Sequence, residues 1–182
     1  MPTPSPTAEE PDNQPCVRLA EFVSPREIDR WRTVNDGVMG GRSSGGPAFG
    51  ESTMRFIGEI NTNGGGFSSV RFNLFPGALE GFDKVVVRAR TDGRTYKLTF
   101  DDSLPGRDRR ISHQGNLVFE GVDDWQLATV SFSDLQPSLF GREVETEPFR
   151  NDLAVELGVM ISDGVDGPFE IEVDWIAACQ AK

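Results

Sequence analysis

The chain has 182 residues, of which 29 are acidic and 18 are Lys or Arg, so its formal net charge at pH 7 is −11. One domain is expected for this length, and a chain of this size buries enough surface to fold without disulfides or metals. The negative charge argues against a role in binding nucleic acid or an anionic membrane, because phosphate groups need a cationic surface. The longest apolar runs are far shorter than the ~20 residues that a membrane span requires.

The first residues differ in composition from the rest of the chain. Residues 1–15 are rich in proline and acidic side chains and are almost without apolar side chains after Met1. Such a segment has nothing to bury, so we expect a disordered tail over residues 1–15 and one folded domain over residues 16–179. The tail has the pattern of neither a secretory signal nor a transit peptide, which predicts a cytoplasmic protein.

Apolar and polar side chains alternate in several short segments after Cys16, as they do in half-buried strands. The clearest segments are residues 67–74, 84–90 and 95–100, and Asp92-Gly93 between the last two indicates a tight hairpin. Weaker strand patterns occupy residues 53–60, 116–119, 125–132, 155–161 and 169–175. Helical turns are predicted only at residues 25–30 and 133–135.

About nine strands separated by Gly and Pro, with one or two short helical turns, predict an all-β fold. A jelly-roll β-sandwich is the architecture that suits this pattern, since a parallel α/β fold would need helical crossovers. Alternation in the last strand places four side chains toward the core, Phe169, Ile171, Val173 and Trp175.

The two cysteines, Cys16 and Cys179, fall near the first and the last strand. These strands often lie next to each other in a jelly roll, so we expect the two side chains to be close in space. In a reducing cytoplasm they should remain thiols.

The most unusual segment spans residues 31–46 and contains Asn35-Asp36-Gly37 and Gly40-Gly41. The first motif predicts a turn, and the second permits backbone angles closed to other residues. The segment lacks the lysine of a phosphate loop and the following helix of a dinucleotide site. We interpret it as a structural loop between strands, and the alternative is a loop that also contacts a ligand. The candidate binding residues on it are Asn35, Asp36, Met39 and Arg42.

A second glycine cluster, Gly64-Gly65-Gly66, precedes the strand at residues 67–74. It is interpreted as a hairpin connection, and the alternative is a place where a neighbouring backbone or a ligand approaches the sheet.

Strand parity also indicates a basic surface. If the segments at 67–74, 84–90 and 95–100 share one sheet, a single outward face carries Arg71, Arg88, Arg90 and Lys97. A cationic face on an acidic protein is a candidate docking surface, because opposed local potentials steer partners together. The alternative is that outward Glu and Asp side chains pair with these residues across the strands.

Catalytic groups are scarce in the sequence. There is no G-x-S-x-G motif, and the chain has one histidine, His113, whose polar neighbours predict a solvated side chain. Asp101 and Asp102 are adjacent, so on a strand they point to opposite faces. A hydrolase that uses Asp or Glu pairs, and a structural Ca²⁺ site at Asp163 and Asp166, remain minor alternatives. We expect no enzymatic activity, no cofactor and no metal.

Several segments together resemble the signature of the complex I intermediate-associated protein 30 family. The matching blocks, in the family's order, are Trp31 with 34–43, then 64–71, 92–96, Trp125 with 130–132, 157–163 and 167–169. The resemblance extends over roughly residues 17–178. It implies a galactose-binding-like jelly roll, in agreement with the strand pattern.

The same resemblance implies a function in NADH:ubiquinone oxidoreductase assembly or in photosystem biogenesis, with no catalytic residue to carry over. We therefore expect a non-enzymatic assembly factor or chaperone module that docks a protein client, a subunit or intermediate of a respiratory or photosynthetic complex. A stand-alone module without a targeting segment is typical of a bacterial protein, here cytoplasmic or peripheral to an energy-converting membrane. The alternative is a carbohydrate-binding module whose sugar ligand stacks on Trp31, Trp125 or Trp175, although the strand positions of these residues favour burial.

Overall fold

A computed structural model describes residues 14–181, so the predicted tail lies, apart from Gln14 and Pro15, outside the described residues. The first strands are β1 (Cys16–Glu21), β2 (Arg32–Asn35), β3 (Ser44–Phe49), β4 (Met54–Ile60), β5 (Ser68–Asn73), β6 (Lys84–Thr91) and β7 (Tyr96–Asp102). The others are β8 (Ile111–Leu117), β9 (Gln126–Ser131), β10 (Gln136–Leu139), β11 (Arg142–Glu143), β12 (Ala154–Ile161) and β13 (Gly167–Cys179). Short 3₁₀ turns occupy Pro25–Arg30, Asp36–Met39, Phe132–Asp134 and Asn151–Leu153.

The predicted all-β sandwich is confirmed, with thirteen strands in the described residues instead of about nine. One sheet has the order β3-β4-β13-β6-β9, and β1 also pairs with β13. The other has the order β11-β10-β8-β7-β12-β5-β2. The described residues contain no helix that is long and apolar enough to cross a membrane.

The core lies between the two sheets and is formed by their inward side chains. Tyr96, Phe56 and Phe100 are fully buried there, and the rings of Phe56 and Phe169 meet edge to face with centroids 4.9 Å apart. Burying one such side chain stabilises the fold by about 1.5–3 kcal/mol. Alternation therefore predicts the faces correctly wherever the strands are regular.

The last strand departs from the predicted alternation at one place. The register of β13 against β6 shifts between Val173 and Trp175. A bulge inserts one residue, so the side chains beyond it change faces. Phe169, Ile171 and Val173 face the core as predicted, but Trp175 does not: it lies on the outer face of the six-stranded sheet, where the Arg18 guanidinium covers it 3.6 Å from the ring centroid.

The first and last strands are neighbours, as expected. Cys16 is aligned with Cys179 in the β1–β13 ladder, and their Cα atoms are 4.2 Å apart. The two side chains form a disulfide, so the expectation of free thiols is wrong.

Candidate functional site: the loops at one end of the sandwich

Asp36, one of the predicted binding residues, is fully buried. Its carboxylate accepts hydrogen bonds from the backbone N–H groups of Ser43 at 2.9 Å, Gly66 at 2.6 Å and Phe67 at 3.3 Å. Burial alone would raise the pKa of Asp36, but the hydrogen bonds from Ser43, Gly66 and Phe67 outweigh it and hold the pKa below its usual value. Asp36 is therefore an ionised anchor between two loops.

The glycines around Asp36 are needed for close approach. A Cβ atom at Gly41 would lie 2.3 Å from the Asp36 carboxyl carbon, and one at Gly65 would lie 2.4 Å from a carboxylate oxygen. Gly40 has a φ of +83°, in the left-handed region that side chains disfavour. These glycines make room for the Asp36 carboxylate. Their presence is therefore explained by structural loops, without a ligand.

Asn35 is engaged in the same way. Its Nδ2 donates to the carbonyl oxygen of Gly45 at 3.3 Å, and its Oδ1 accepts from the Ser68 hydroxyl at 2.5 Å. The side chain thus links β3 and β5 across the loop. The side chains of Asn35 and Asp36 thus hold neighbouring segments of the protein together.

The other two predicted residues of this loop, Met39 and Arg42, are exposed. Val38 is 77% exposed and Met39 is 49% exposed, both on the Asp36–Met39 turn that the Asp36 carboxylate holds from below. Val38 was not among the predicted residues, although an apolar pair at a turn tip flanked by glycines is a recognisable signal. The loop therefore holds an apolar tip and a cation on a fixed backbone.

Two further loops join this end of the sandwich. The backbone N–H of Thr62 donates to Asp166 at 2.6 Å. Arg94 forms a bidentate pair with Asp163 at 2.7 and 2.9 Å, and its third nitrogen donates to the carbonyl oxygens of Gly167 and Pro168. The two aspartates of the Ca²⁺ alternative are thus bonded to protein groups.

We name the loops at residues 36–43, 61–67, 92–95 and 162–168 the loop platform. Ser43 and Asn61 connect the first two loops, since the Ser43 hydroxyl donates to the Asn61 carbonyl oxygen and accepts from the Asn61 N–H. The Thr62–Asp166 bond connects the second to the fourth loop, and Arg94 connects the third to the fourth. Val165, 56% exposed, is an apolar tip on the fourth loop.

A sequence profile described as Complex I intermediate-associated protein 30 (CIA30) matches residues 20–173. The chain belongs to this family. The mouse (Mus musculus) protein named Complex I intermediate-associated protein 30, mitochondrial, is 24% identical over 176 residues, which cover 86% of this chain and 54% of that protein. The chain thus spans about half the length of this curated relative.

Solved structures of carbohydrate-binding modules share the fold. A family 11 module from Clostridium thermocellum, in complex with a β-1,3-1,4-mixed-linked tetrasaccharide, has a TM-score of 0.67 at 15% identity over 91% of this chain and 96% of that one. The family 11 module of a C. thermocellum cellulosomal cellulase has a TM-score of 0.69 at 14% identity over 92% and 96%. At such identities the likeness shows the fold alone, and it confirms the galactose-binding-like sandwich.

The segments that carry the sequence resemblance to this family meet in the loop platform. The blocks at 34–43 and 64–71 meet at Asp36, and the blocks at 92–96, 157–163 and 167–169 meet at Arg94. Segments that are far apart in the chain therefore build one end of the sandwich. Arg94, which the sequence did not single out as a site residue, is the centre of the second junction.

The predicted single cationic face does not exist. Arg88 and Arg90 lie on β6 in the six-stranded sheet, whereas Arg71 and Lys97 lie on β5 and β7 in the seven-stranded sheet. Strand parity shows which side chains share a strand face but not which strands share a sheet. Arg71, Arg88, Arg90 and Lys97 therefore do not form one docking surface, and that prediction is wrong.

The arginines instead pair with acidic residues across strands, as the alternative held. Arg88 bonds to Asp174 at 2.6 Å and Arg90 to Glu172 at 2.6 Å. Both guanidiniums also lie over the ring of Trp125, at 4.8 and 5.0 Å from its centroid. This covers Trp125 with charged side chains.

On the other sheet, Arg71 lies between two acidic side chains that sequence reasoning did not connect. Its Nη1 is 3.5 Å from Glu156 and 4.0 Å from Asp101, which are aligned partners on β12 and β7. Arg32 also bonds to Glu156. Burial and the neighbouring Glu156 raise the pKa of Asp101 to about 7. Lys97 is half-buried on the same face, aligned with Met160 and Asn116.

Proposed function

We propose that this chain is a non-enzymatic assembly-factor module that docks a protein client through the loop platform. The client is a subunit or intermediate of a respiratory or photosynthetic membrane complex, in line with the family and with the name of the mouse relative. The folded domain that carries this function is the one over residues 16–179.

The observation that carries this proposal is that the segments with the family resemblance are bonded together in the loop platform. Asp36 and Arg94 are used entirely in holding loops in place, and Val38, Met39 and Val165 are exposed above them. A surface fixed before binding loses little conformational entropy when a partner docks. Exposed apolar side chains on such loops suit burial against a protein, and Arg42 adds one cation beside them.

The sugar-binding alternative has less support from the described residues. Trp31 is buried in the core against Phe22 and Phe72, Trp175 lies under Arg18, and Trp125 lies under Arg88 and Arg90. Trp31 and Trp175 are buried, and two guanidiniums lie over the ring of Trp125, so none of the three is an open platform of the kind on which a sugar stacks.

The proposal is tested by removing the apolar tip while keeping the loop anchored. The double variant Val38→Ser, Met39→Ser should lose most co-purification of complex subunits and assembly intermediates from the native host, by about tenfold or more. Val23→Ser is the matched control, because Val23 is also 77% exposed but lies outside the loop platform. Unchanged recovery with the double variant, at an unchanged Tm, would contradict docking at this loop. Binding of a glucan oligosaccharide by the wild-type chain, unaffected by the double variant, would favour the sugar alternative.

A further inference from the structure

The hairpin that joins β10 to β11 ends in an unusual turn. Leu139 is aligned with Arg142, so the turn consists of two residues, Phe140 and Gly141. Their φ angles are +50° and +77°, both in the left-handed region, as in a type I′ turn. Glycine adopts this conformation freely, and Asn or Asp usually occupies the first position. Phe140 therefore lies where a bulky aromatic residue is disfavoured.

Packing within the fold does not account for this phenylalanine. Phe140 is 57% exposed and lies outside the core between the sheets. The Arg110 guanidinium lies over its ring, 5.5 Å from the centroid. At an exposed site, such a contact returns no more than the left-handed conformation costs a residue with a side chain. A strained and exposed aromatic side chain thus indicates a function outside the fold.

Arginine side chains accompany the phenylalanine at the end of the hairpin. Asp108 holds the Arg110 guanidinium in place, since its two carboxylate oxygens accept from Nε at 3.0 Å and from Nη2 at 2.7 Å. Arg142 directly follows the turn and is exposed. Because Asp108 already balances Arg110, Arg142 gives this end of the hairpin a positive charge, although the whole chain has a net charge of −11.

We infer that Phe140, Arg110 and Arg142, here named the Phe140 tip, insert into an apolar pocket on a protein partner. Aromatic residues and arginine are the types most enriched at the centres of protein interfaces, where they contribute most of the binding energy. The positive charge beside the ring complements a pocket whose rim carries Asp or Glu side chains.

An anionic membrane surface suits the Phe140 tip less well than a protein does. Three exposed glutamates follow the tip, at positions 143, 145 and 147. Anionic lipid headgroups would repel these glutamates as the tip approached the bilayer. The charges near the tip therefore favour a protein with a few placed carboxylates over a uniformly negative surface.

The Phe140 tip lies at the opposite end of the sandwich from the loop platform. Leu139 is aligned with Ile111 at the start of β8, and β8 starts beside the end of β7. The platform loop at residues 92–95 instead precedes the start of β7. The two surfaces are separate, so this inference does not rest on the proposed client docking. A module with both surfaces can hold two proteins at once.

Photo-crosslinking in the native host identifies what covers the tip. The substitution Phe140→p-benzoylphenylalanine keeps an aromatic ring at the turn, and mass spectrometry of the crosslinked peptide identifies the partner. The expected product is a peptide of another protein that contains apolar side chains and Asp or Glu. Its yield should exceed by about tenfold or more that from the same photoreactive residue at Val23, which is also exposed. A product with lipid or with a second copy of this chain, or no product above the control, would overturn the inference.

A change of charge tests the carboxylates on the partner. Arg142→Glu in the photoreactive chain should lower the crosslink yield by about fivefold or more, because the new carboxylate repels those on the rim of the pocket. Arg26→Glu is the matched control, since Arg26 is also exposed but lies on the Pro25–Arg30 turn. Equal yields from the two variants would contradict an acidic rim.

Variants of Phe140 separate partner binding from folding. Phe140→Asn removes the ring and suits the left-handed turn, whereas Phe140→Ala removes the ring and keeps the strain. The Tm of the Asn variant should exceed that of the Ala variant by about 2–4 °C. Both variants should recover the crosslinked partner about tenfold less well than the wild type. Equal Tm values, or full recovery of the partner by the Asn variant, would each overturn the inference.

The loop-platform variant shows whether the two surfaces act separately. Val38→Ser, Met39→Ser should leave the crosslink at residue 140 unchanged, because these side chains lie at the other end of the sandwich. Loss of that crosslink in the double variant would show that one partner needs both ends, and a separate site at the Phe140 tip would then be wrong.

Discussion

Asp36 joins two loops that are 30 residues apart in the chain. Its carboxylate accepts hydrogen bonds from three backbone N–H groups that would otherwise be buried without a partner. These bonds favour the ionised form of Asp36. A carboxylate in such a nest of amides contributes more than a neutral acceptor could, because charge-assisted hydrogen bonds are about twice as strong. The residue therefore supports the exposed tip at Val38 and Met39 without contacting a partner itself.

Substituting Asp36→Asn should lower the free energy of unfolding by about 2–4 kcal/mol, since the amide has one acceptor oxygen where the carboxylate has two. Chemical denaturation measures the change. Asp29→Asn, at an exposed position on the Pro25–Arg30 turn, should change stability by less than about 0.5 kcal/mol. Equal effects of the two substitutions would show that Asp36 is not an anchor.

The raised pKa of Asp101 predicts how the stability of the fold changes with pH. Its pKa in the folded chain is raised to about 7 from an ordinary 3.8, so between these values the folded state holds a proton that the unfolded state has lost. Stability from this group therefore falls as the pH rises from about 4 to about 7. Asp101→Asn removes the titration, so the stability of the variant relative to the wild type should increase as the pH rises from about 4 to about 7 in denaturation experiments. A difference between the two proteins that stays constant with pH would contradict the assignment.

Among the elements, the regular strands could be predicted and the irregular ones could not. β5, β6 and β7 alternate with a period of two, so alternation predicts both their positions and their inward faces. β3 has the sequence Ser-Gly-Gly-Pro-Ala-Phe, which resembles a loop and becomes a strand only through its pairing with β4. Sheet membership, which separates β6 from β5 and β7, depends on contacts between distant segments.

The candidate site, too, could be predicted only in part from the sequence. The sequence predicts that residues 35–42 matter, but a polar side chain between glycines has the same pattern whether it bonds to a ligand or to a neighbouring loop. In the fold, Gly41 and Gly65 lie against the Asp36 carboxyl group, which shows that Asp36 is bonded to neighbouring loops. The sequence pattern alone does not reveal this contact. The prediction that His113 is solvated was wrong for a related reason, because its polar neighbours along β8 point to the opposite face of the strand.

Arg94 gives a prediction at the scale of one element, the loop at residues 162–168. Arg94→Lys keeps the charge but cannot bridge Asp163 and two carbonyl oxygens together. Backbone amides of this loop should exchange hydrogen about tenfold or more faster, while amides of β7 and β12 change little. Arg142→Lys, at an exposed position, is the control. Exchange that accelerates uniformly over the whole domain would instead indicate a global role for Arg94.

At the scale of the whole molecule, the disulfide connects the two ends of the fold. Cys16 and Cys179 are 163 residues apart and lie on β1 and β13, so the bond restricts nearly the entire unfolded chain. In the chain-entropy description, closing a loop of this length stabilises the fold by about 5 kcal/mol. Among residues 14–181, β1 pairs with one strand, β13, so we expect the bond to secure an edge that would otherwise open early.

Reduction of the wild-type chain, or the double variant Cys16→Ala, Cys179→Ala, should therefore lower the Tm by about 10 °C or more. Thermal unfolding with and without dithiothreitol measures this change, and the double variant should not respond to the reductant. Thiol titration of the folded, unreduced protein provides the check, because a bonded pair leaves no reactive thiol. If both thiols react and the Tm is insensitive to reductant, the pair is unbonded in solution, and the β1–β13 ladder alone holds the two ends together. A bonded pair would also favour an oxidising compartment over the cytoplasm, since such bonds persist where thiols are not continually reduced.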